Sequence, residues 1–254
     1  MVSRLFGWLL CAGLLTLPAA PAQSGDSQAT RAETERIVRE YLKAHPEVII
    51  EALQAYQNRQ RLAQQQQARE AIAAQQAELY NDASSPTAGS NDKDAITIVE
   101  FFDYRCGYCK HVLPVLSKLI SSNPKVRVVF KDFPILGPDS QLAARAALAS
   151  ARQGAYFKYH QALLQHTGAF TPEALSEIAT KLGLDAKRLR AEMESEAVAK
   201  TLEENMKLAE SIGVESTPSF VAGTELVAGA MDEAGFAALL ARSSGATPRG
   251  PAQK

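Results

Sequence analysis

Apolar and polar residues follow two different patterns along the chain. Before residue 82 the apolar residues recur at helical spacing, whereas after residue 95 continuous apolar runs alternate with helical segments. Residues 96–102 form an apolar, β-branched run that predicts a buried strand, and residues 126–133 predict a second one. A helical segment at residues 107–122 lies between them. The pattern therefore predicts an α/β domain that contains a βαβ unit with a right-handed crossover.

The helical region before this domain, residues 23–81, is called the arm below. We expect its first helix to begin at a capping box over residues 30–33, after a disordered start at residues 23–29. Pro46 ends this helix and opens the next one. Large apolar residues form one face of the two helices: Ile37, Val38, Tyr41, Leu42, Ile49, Ile50, Leu53 and Tyr56. This face packs either against its own domain or against other copies of the chain, and we favour self-association.

Composition sets the remaining boundaries. Residues 82–94 are rich in small and turn-forming residues and predict a linker. The main domain then covers residues 95–242, with a helical insertion at about 139–212. Two short strands around Gly223 and a last helix complete the domain. Residues 243–254 are predicted to be a disordered tail.

The first residues have the features of a secretory signal peptide. Arg4 precedes an apolar run over residues 5–17, which is short for a bilayer span, and small residues follow up to Ala22. We predict that residues 1–22 are removed and that the protein is periplasmic; the alternative is an uncleaved membrane anchor. The net charge of −1 gives no reason to expect nucleic acid as a partner.

Removal of the signal peptide with Cys11 leaves two cysteines, Cys106 and Cys109. Cys106 follows the first predicted strand, and Cys109 lies in the first turn of the helix after it. The N–H groups and the positive end of a helix stabilise a thiolate at this position. We therefore expect Cys106, the more exposed thiol, to attack disulfides, and Cys109 to resolve the mixed disulfide that forms.

Three other uses of this cysteine pair compete with that interpretation. Structural zinc needs four ligands, and the chain has no histidine pair with suitable spacing. A structural disulfide that closes so small a loop would restrict the unfolded chain little. A Cu(I) site built from two soft thiolates stays open as an alternative. We predict no resident metal and no cofactor beyond the redox-active disulfide Cys106–Cys109.

Three segments resemble the DsbA-like thiol–disulfide oxidoreductases: VEFFDYRCGYC at 99–109, FKDFPILGPDS at 130–140 and GVESTPSFVAG at 213–223. The resemblance covers residues 95–241 and implies a thioredoxin fold with a helical insertion. The arm segment YLKAHPEVIIEALQAYQNRQ at 41–60 is similar to the N-terminal part of the ScsC and Com1-like branch. In some members of that branch the arm makes oligomers, which implies a dimer or trimer here.

The resemblance also implies roles for individual residues. Catalytic roles fall on Glu100, Cys106, Gly107, Tyr108 and Cys109. Gly107 and Tyr108 would tune the redox poise, and Glu100 would be a buried acid that accepts a proton from Cys109. The alternative for Glu100 is a charge that faces solvent. Thr217 and Pro218 match a cis-proline loop that binds an extended substrate.

The direction of the reaction depends on finer features. The Gly107-Tyr108 dipeptide and the threonine before Pro218 resemble the isomerase DsbC more than the oxidase DsbA, and an oligomerising arm also fits isomerases. We therefore predict a disulfide isomerase that acts on unfolded or misoxidised exported proteins and exchanges electrons with a membrane redox partner. The alternatives are a dithiol oxidase and a Cu(I)-binding copper-tolerance protein.

Overall fold

The computed structural model describes the backbone of residues 24–243 and the side chains of residues 30–243. The predicted signal peptide, residues 1–22, and the predicted tail beyond Ser243 lie outside the described residues. The chain divides into two compact units, one up to Arg59 and one from Gln60 onward. Within residues 24–243, none of the helices is both long enough and apolar enough to cross a bilayer.

The first unit is helical. It contains α1 (Ser24–Ala44) and the first part of α2 (Glu47–Ala74), with a break at Pro46 as predicted. The predicted start of α1 is wrong, because the helix already begins at Ser24 and the Thr30 carbonyl accepts a hydrogen bond from Thr34 Oγ1 at 2.9 Å inside it. Residues 24–27 are weak helix formers, but Gln28 and Ala29 favour a helix, and none of the six residues is a proline that would stop it.

The apolar face of the arm is open in the single chain. Seven of its eight residues are each between 50% and 57% exposed: Ile37, Val38, Tyr41, Ile49, Ile50, Leu53 and Tyr56. Leu42 is half-buried.

The second unit is built on a five-stranded sheet, as the thioredoxin fold with a helical insertion requires. Its strands are β1 (Thr87–Gly89), β2 (Ile96–Phe102), β3 (Val126–Asp132), β4 (Ser219–Ala222) and β5 (Glu225–Ala228). They lie in the order β1-β3-β2-β4-β5; β2 and β3 are parallel and the other neighbours are antiparallel. Helix α4 (Gly107–Ser122) connects β2 to β3, which confirms the predicted βαβ unit.

The remaining helices of the described chain follow in order. They are α3 (Gln76–Tyr80), α5 (Pro138–Ala151), α6 (Tyr156–Gln165), α7 (Pro172–Lys181), α8 (Ala186–Met193), α9 (Glu196–Ser211) and α10 (Glu233–Ser243). Helices α5 to α9 occupy the predicted insertion.

Two apolar cores lie on opposite faces of the sheet, because successive residues of a strand point to opposite sides. The face that carries Ile98 and Phe102 of β2, called the front face, packs against α4, α10 and most of the insertion. The face that carries Val99 and Phe101, called the back face, packs against the end of α2, α3 and the end of α9.

Two predicted domain boundaries are wrong. Residues 82–94 are not a free linker, because β1 pairs with β3 and the Asp82 carboxylate lies 2.8 Å from Lys131 Nζ. The arm does not extend to residue 81 either, since Ile72 and Leu79 are fully buried in the back core. Composition misled in both places: Ser, Asp and Gly also make turns inside folded domains, and an alanine-rich helix needs few large residues to pack.

Candidate active site

Cys106 occupies the N-cap position of α4, directly after β2 and a short loop. Its backbone is extended, with φ −71° and ψ 117°, and its Sγ accepts a hydrogen bond from the Cys109 backbone N–H at 3.3 Å. An N-cap side chain normally offers an oxygen to these free N–H groups. Here a sulfur takes that place, so negative charge on Cys106 is stabilised by the helix end.

The two thiols differ strongly in acidity. The pKa of Cys106 is lowered to about 5, chiefly by a hydrogen bond from the Cys109 thiol, with burial opposing and the Thr217 side chain assisting. The pKa of Cys109 is raised far above its usual range by burial and by its hydrogen bond to Cys106. Cys106 is 6% exposed and Cys109 1%. The arrangement thus has one slightly accessible thiolate, Cys106, and one neutral thiol, Cys109, that is almost completely buried.

The Thr217-Pro218 loop lies against Cys106. The peptide bond between these residues is cis, as predicted. In the thiol form, Cys106 Sγ donates a hydrogen bond to the Thr217 carbonyl at 3.2 Å. The Pro218 carbonyl accepts from the Gly229 backbone N–H at 2.8 Å, and β4 begins directly after the proline. Residues more than one hundred positions apart in the chain therefore meet at one sulfur.

Gly107 and Tyr108 face open space. Tyr108 is 70% exposed, and a Cβ added at Gly107 would meet no atom within 4 Å. Their effect on the site therefore passes through the backbone, where the N–H of Tyr108 helps to lower the Cys106 pKa.

Glu100 is buried on the front face, at 2% exposure, so the alternative of a solvent-facing charge is wrong. Its neighbours in the sheet register are Phe130 on β3 and Phe220 on β4. The Glu100 Oε2 atom has no hydrogen-bond partner among the described residues. Burial, together with the charges of Cys106 and Asp132, raises the pKa of Glu100 to about 8.

Two further acids near the site were missed by the sequence analysis. The first, Asp103, accepts hydrogen bonds from Arg105 N at 2.7 Å, Ser140 Oγ at 2.6 Å and Leu136 N at 2.9 Å. It thereby fixes the loop after β3 beside the start of α4, where Ile135 and Leu136 stay 39% and 48% exposed. An aspartate two residues before a turn is a recognisable Asx pattern, so this signal was present.

The second missed acid is Asp132, which is fully buried on the front face. Its Oδ2 accepts a hydrogen bond from the Tyr156 hydroxyl at 3.0 Å, and its main-chain carbonyl accepts one from Asn205 Nδ2 at 3.3 Å. Nearby, the Tyr104 hydroxyl lies 3.1 Å from His160 Nδ1. An aspartate inside an otherwise apolar strand was the available signal, but its face depends on a register that the sequence does not give.

Two family models match the chain. The model of the DSBA-like thioredoxin domain matches residues 97–241, and the model of the copper resistance protein ScsC N-terminal domain matches residues 31–71. Among curated relatives, the Na(+)/H(+) antiporter NhaA 3 of Salinispora tropica is 33% identical over 127 residues, which is 49% of this chain and 20% of that protein. The chain thus spans about a fifth of the length of that relative.

Solved structures of similar proteins extend over the arm as well. Salmonella enterica Typhimurium BcfH is 29% identical with a TM-score of 0.72, and the match covers 88% of this chain and 100% of that one. Proteus mirabilis ScsC in a transitional conformation is 31% identical with a TM-score of 0.63, covering 86% of this chain and 98% of that one.

Proposed function

Because the chain belongs to the DSBA-like thioredoxin family and is a thiol–disulfide oxidoreductase of the DsbA and ScsC type, we propose that it is an oligomeric isomerase of exported proteins. The observation that carries the proposal is the open apolar face of the arm, attached to a domain with one strongly acidic thiol. An isomerase benefits from several active sites around one substrate, and self-association through the arm would provide them.

The chemistry begins at Cys106. Its thiolate attacks a wrong disulfide, so that a bond forms between Cys106 Sγ and one substrate sulfur while the substrate S–S bond breaks. The displaced substrate thiolate then attacks another disulfide of the substrate. A substrate thiolate finally displaces Cys106, and no net oxidation occurs.

Cys109 releases substrates that fail to rearrange. It gives its proton to the Glu100 carboxylate and forms a bond with Cys106 Sγ, while the bond between Cys106 and the substrate breaks. The substrate leaves as a thiolate that takes a proton from solvent. The substrate is reduced and the cysteine pair is oxidised, so a membrane redox partner would be needed to restore the dithiol.

Substrate binding is assigned to the surface around Cys106. The Thr217 main chain lies beside the sulfur, and Tyr108, Ile135 and Leu136 offer exposed apolar side chains on nearby segments. Unfolded proteins present extended backbone and apolar side chains, so this surface suits them better than a folded partner. Export to the periplasm rests on the signal-peptide pattern of residues 1–22.

Self-association is supported by the energetics of the arm. Full burial of a large apolar side chain is worth about 1.5–3 kcal/mol, and seven such residues are half-exposed on one face. The match of residues 31–71 to the ScsC N-terminal domain agrees with the resemblance from which self-association of the arm was predicted. We propose a dimer or trimer.

The test changes the arm without touching the site. Leu53→Glu places a charge in the apolar face, whereas Ala55→Glu places the same charge on an exposed position outside it. Light scattering measures the oligomeric state of each variant. Refolding of a scrambled multi-disulfide protein measures isomerisation, and oxidation of a reduced one measures simple dithiol exchange.

We expect Leu53→Glu to yield a monomer that keeps dithiol exchange and loses most isomerisation, while Ala55→Glu behaves as the parent. A chain that begins at Gln60 should match Leu53→Glu, because the second unit starts there. A monomeric parent, or a monomeric variant that isomerises as well as the parent, would reject the proposal that assembly through the arm supports isomerisation. A parent that oxidises reduced proteins but does not isomerise scrambled ones would be an oxidase instead.

A copper-binding role is a second candidate, favoured by the match of residues 31–71 to a domain described as part of a copper resistance protein. Two thiolates suit Cu(I), and no group of three or more potential metal ligands occurs within residues 30–243. For this role the parent protein would have to retain Cu(I) in the presence of a strong chelator, and the Cys109→Ala variant would have to lose it. Release of the ion to the chelator by the parent protein would reject this role.

A further inference from the structure

Two buried carboxylic acids lie side by side on the front face of the sheet. Glu100 on β2 pairs in register with Phe130 on β3, and Phe102 pairs with Asp132. Glu100 and Asp132 are therefore diagonal neighbours on adjacent parallel strands and point to the same side. They are 2% and 0% exposed.

No buried cation balances these acids in the described chain. The one buried lysine, Lys131, follows Phe130 on β3 and points to the back face, where it pairs with Asp82. The pKa of the buried His160 imidazole is lowered to about 3, so it is neutral at physiological pH. Glu100 Oε2 and Asp132 Oδ1, one oxygen of each acid, have no hydrogen-bond partner among the described residues.

The two acids have different surroundings. Asp132 accepts a hydrogen bond from Tyr156 of α6, Tyr104 of the loop after β2 also favours its charge, and the charge of Asp103 opposes it. The charges of Glu100 and Cys106 interact in the reduced protein, where the Cys106 thiolate raises the proton affinity of Glu100. In the mixed disulfide Cys106 carries no charge, so Asp132 is the acid that still acts on Glu100. Because two close carboxylates without a cation do not ionise together, the negative charge falls on Asp132 and the proton on Glu100.

We propose that Asp132 is a positioning residue for thiol–disulfide exchange, whose charge holds the proton on Glu100 and so delays the release of mixed disulfides by Cys109. This inference rests on the proposed role of Glu100 as the proton acceptor. Before Cys109 can attack, Glu100 must first lose its own proton to solvent, and Asp132 raises the pH at which it does so. A long-lived mixed disulfide gives a substrate time to rearrange, which suits an isomerase.

The pKa values agree with this geometry. Burial raises the pKa of Glu100 to about 8 and that of Asp132 to about 7. The charges of Cys106 and Asp132 add to the effect of burial on the pKa of Glu100. The Tyr156 hydroxyl opposes the burial effect on Asp132 by donating to its charged form. Among the described residues Glu100 Oε2 has no such donor, so the hydrogen bonding favours the charge on Asp132.

The experiment follows the release step alone. The full-length protein is loaded at Cys106 with a chromophoric aromatic thiol, and its displacement by Cys109 is timed from about pH 5 to about pH 9. Asp132→Asn removes the charge and keeps the shape, and Tyr156→Phe removes the hydrogen bond that favours the charge. Asp94→Asn, which removes a charge from an exposed loop, is the matched control.

The parent should release the thiol with a rate that rises through the pKa of Glu100. Asp132→Asn should move the midpoint to lower pH by about one unit and speed release several-fold at about pH 6. Tyr156→Phe should also move the midpoint to lower pH, but by less than Asp132→Asn. If Asp132→Asn does not fold, the Tyr156→Phe profile tests the inference. Asp94→Asn should leave the profile in place.

Two outcomes separate the possible errors. A midpoint that stays in place in Asp132→Asn, with release slowed equally at every pH, would make Asp132 a merely structural residue and overturn the inference. Glu100→Gln should abolish the pH dependence through this range. If it leaves the profile unchanged, the proposed role of Glu100 fails first, and the inference about Asp132 falls with it.

Discussion

Lys131 and Asp132 are adjacent on β3 and both are buried, yet their charged groups have different partners on the two faces of the sheet. On the back face Lys131 Nζ lies 2.8 Å from the Asp82 carboxylate. On the front face Asp132 has a hydrogen bond from Tyr156 but no cation partner in the described part of the chain, and a second acid, Glu100, lies beside it. A paired charge fixes a structure, whereas an unpaired acid acquires a pKa near neutrality, where it can exchange protons.

The two faces should also respond to pH in opposite directions. The pKa of Asp82 is lowered by the Lys131 ammonium and two serine hydroxyls against the effect of burial, so its stabilising contribution is present above about pH 4 and is lost as pH falls. The pKa values of Glu100 and Asp132 are raised to about 8 and about 7. In the folded state these acids hold protons that the unfolded chain releases, so they lower stability as pH rises from about 4 to about 8.

The largest effect is expected on the back face. Asp82→Asn leaves the Lys131 ammonium buried without a counter-charge, which should lower the free energy of unfolding by about 2–3 kcal/mol, because Asp82 is partly exposed and a fully buried pair would cost more. Denaturant unfolding at neutral pH measures this. The thiolate titration of Cys106 should not move, since the change lies on the other face.

Two control variants sharpen this test. Lys131→Met should cost less than Asp82→Asn, because the Asp82 carboxylate keeps hydrogen bonds from Ser84 and Ser85. The double variant Asp82→Asn, Lys131→Met should recover most of the loss, since apolar replacement of a buried pair is often neutral. A stable Asp82→Asn protein would mean that the ion pair contributes nothing and that the contrast between the faces is wrong.

The sequence predicted the front face better than the back face. The apolar runs located β2 and β3, and the CxxC pair together with the resemblance located Cys106 at a helix start and Pro218 in a cis bond. These features depend on local pattern or on a specific motif. Each of them was confirmed without knowledge of which strands are neighbours.

The back face depends on contacts between distant segments, and there the sequence failed. An alanine- and glutamine-rich helix end and a serine-rich segment contain nothing that predicts burial of Ile72 and Leu79 or the pairing of Asp82. The sequence placed the start of the folded core at Ile96, which would leave out all three residues. The side-by-side placement of Glu100 and Asp132 was also invisible, because it requires the register of β2 against β3.

The second effect concerns pH and the front face. Glu100→Gln removes an acid whose pKa is raised to about 8 by burial and by the neighbouring charges. The folded protein loses stability from this acid as pH rises from about 4.5, and the loss is complete above about pH 8. The variant should therefore gain stability over the parent progressively across this range. Unfolding curves of the reduced proteins at several pH values measure the difference.

Asp94→Asn, which removes an exposed carboxylate, is the control for this series. A Glu100→Gln difference that is flat with pH would contradict the raised pKa. Such a result would also mean that Glu100 on the front face does not differ in its pH response from the Lys131–Asp82 ion pair on the back face.

The smallest effect is expected at Thr217, which contacts the thiol from outside the sheet. Its side chain helps to lower the Cys106 pKa to about 5, but the Cys109 thiol has the largest part in that shift, and the Thr217 carbonyl stays in place whatever the side chain. Thr217→Val should therefore raise the Cys106 pKa by only about half a unit and make the dithiol slightly less favoured. Ultraviolet absorbance of the thiolate across pH measures the shift.

Thr224→Val is the control, because it makes the same substitution in the turn at the far end of β4 and should leave the titration of Cys106 unchanged. An equal shift in both variants would mean that Thr217 acts only through the shape of its loop, and that the acidity of Cys106 comes from α4 and Cys109 alone.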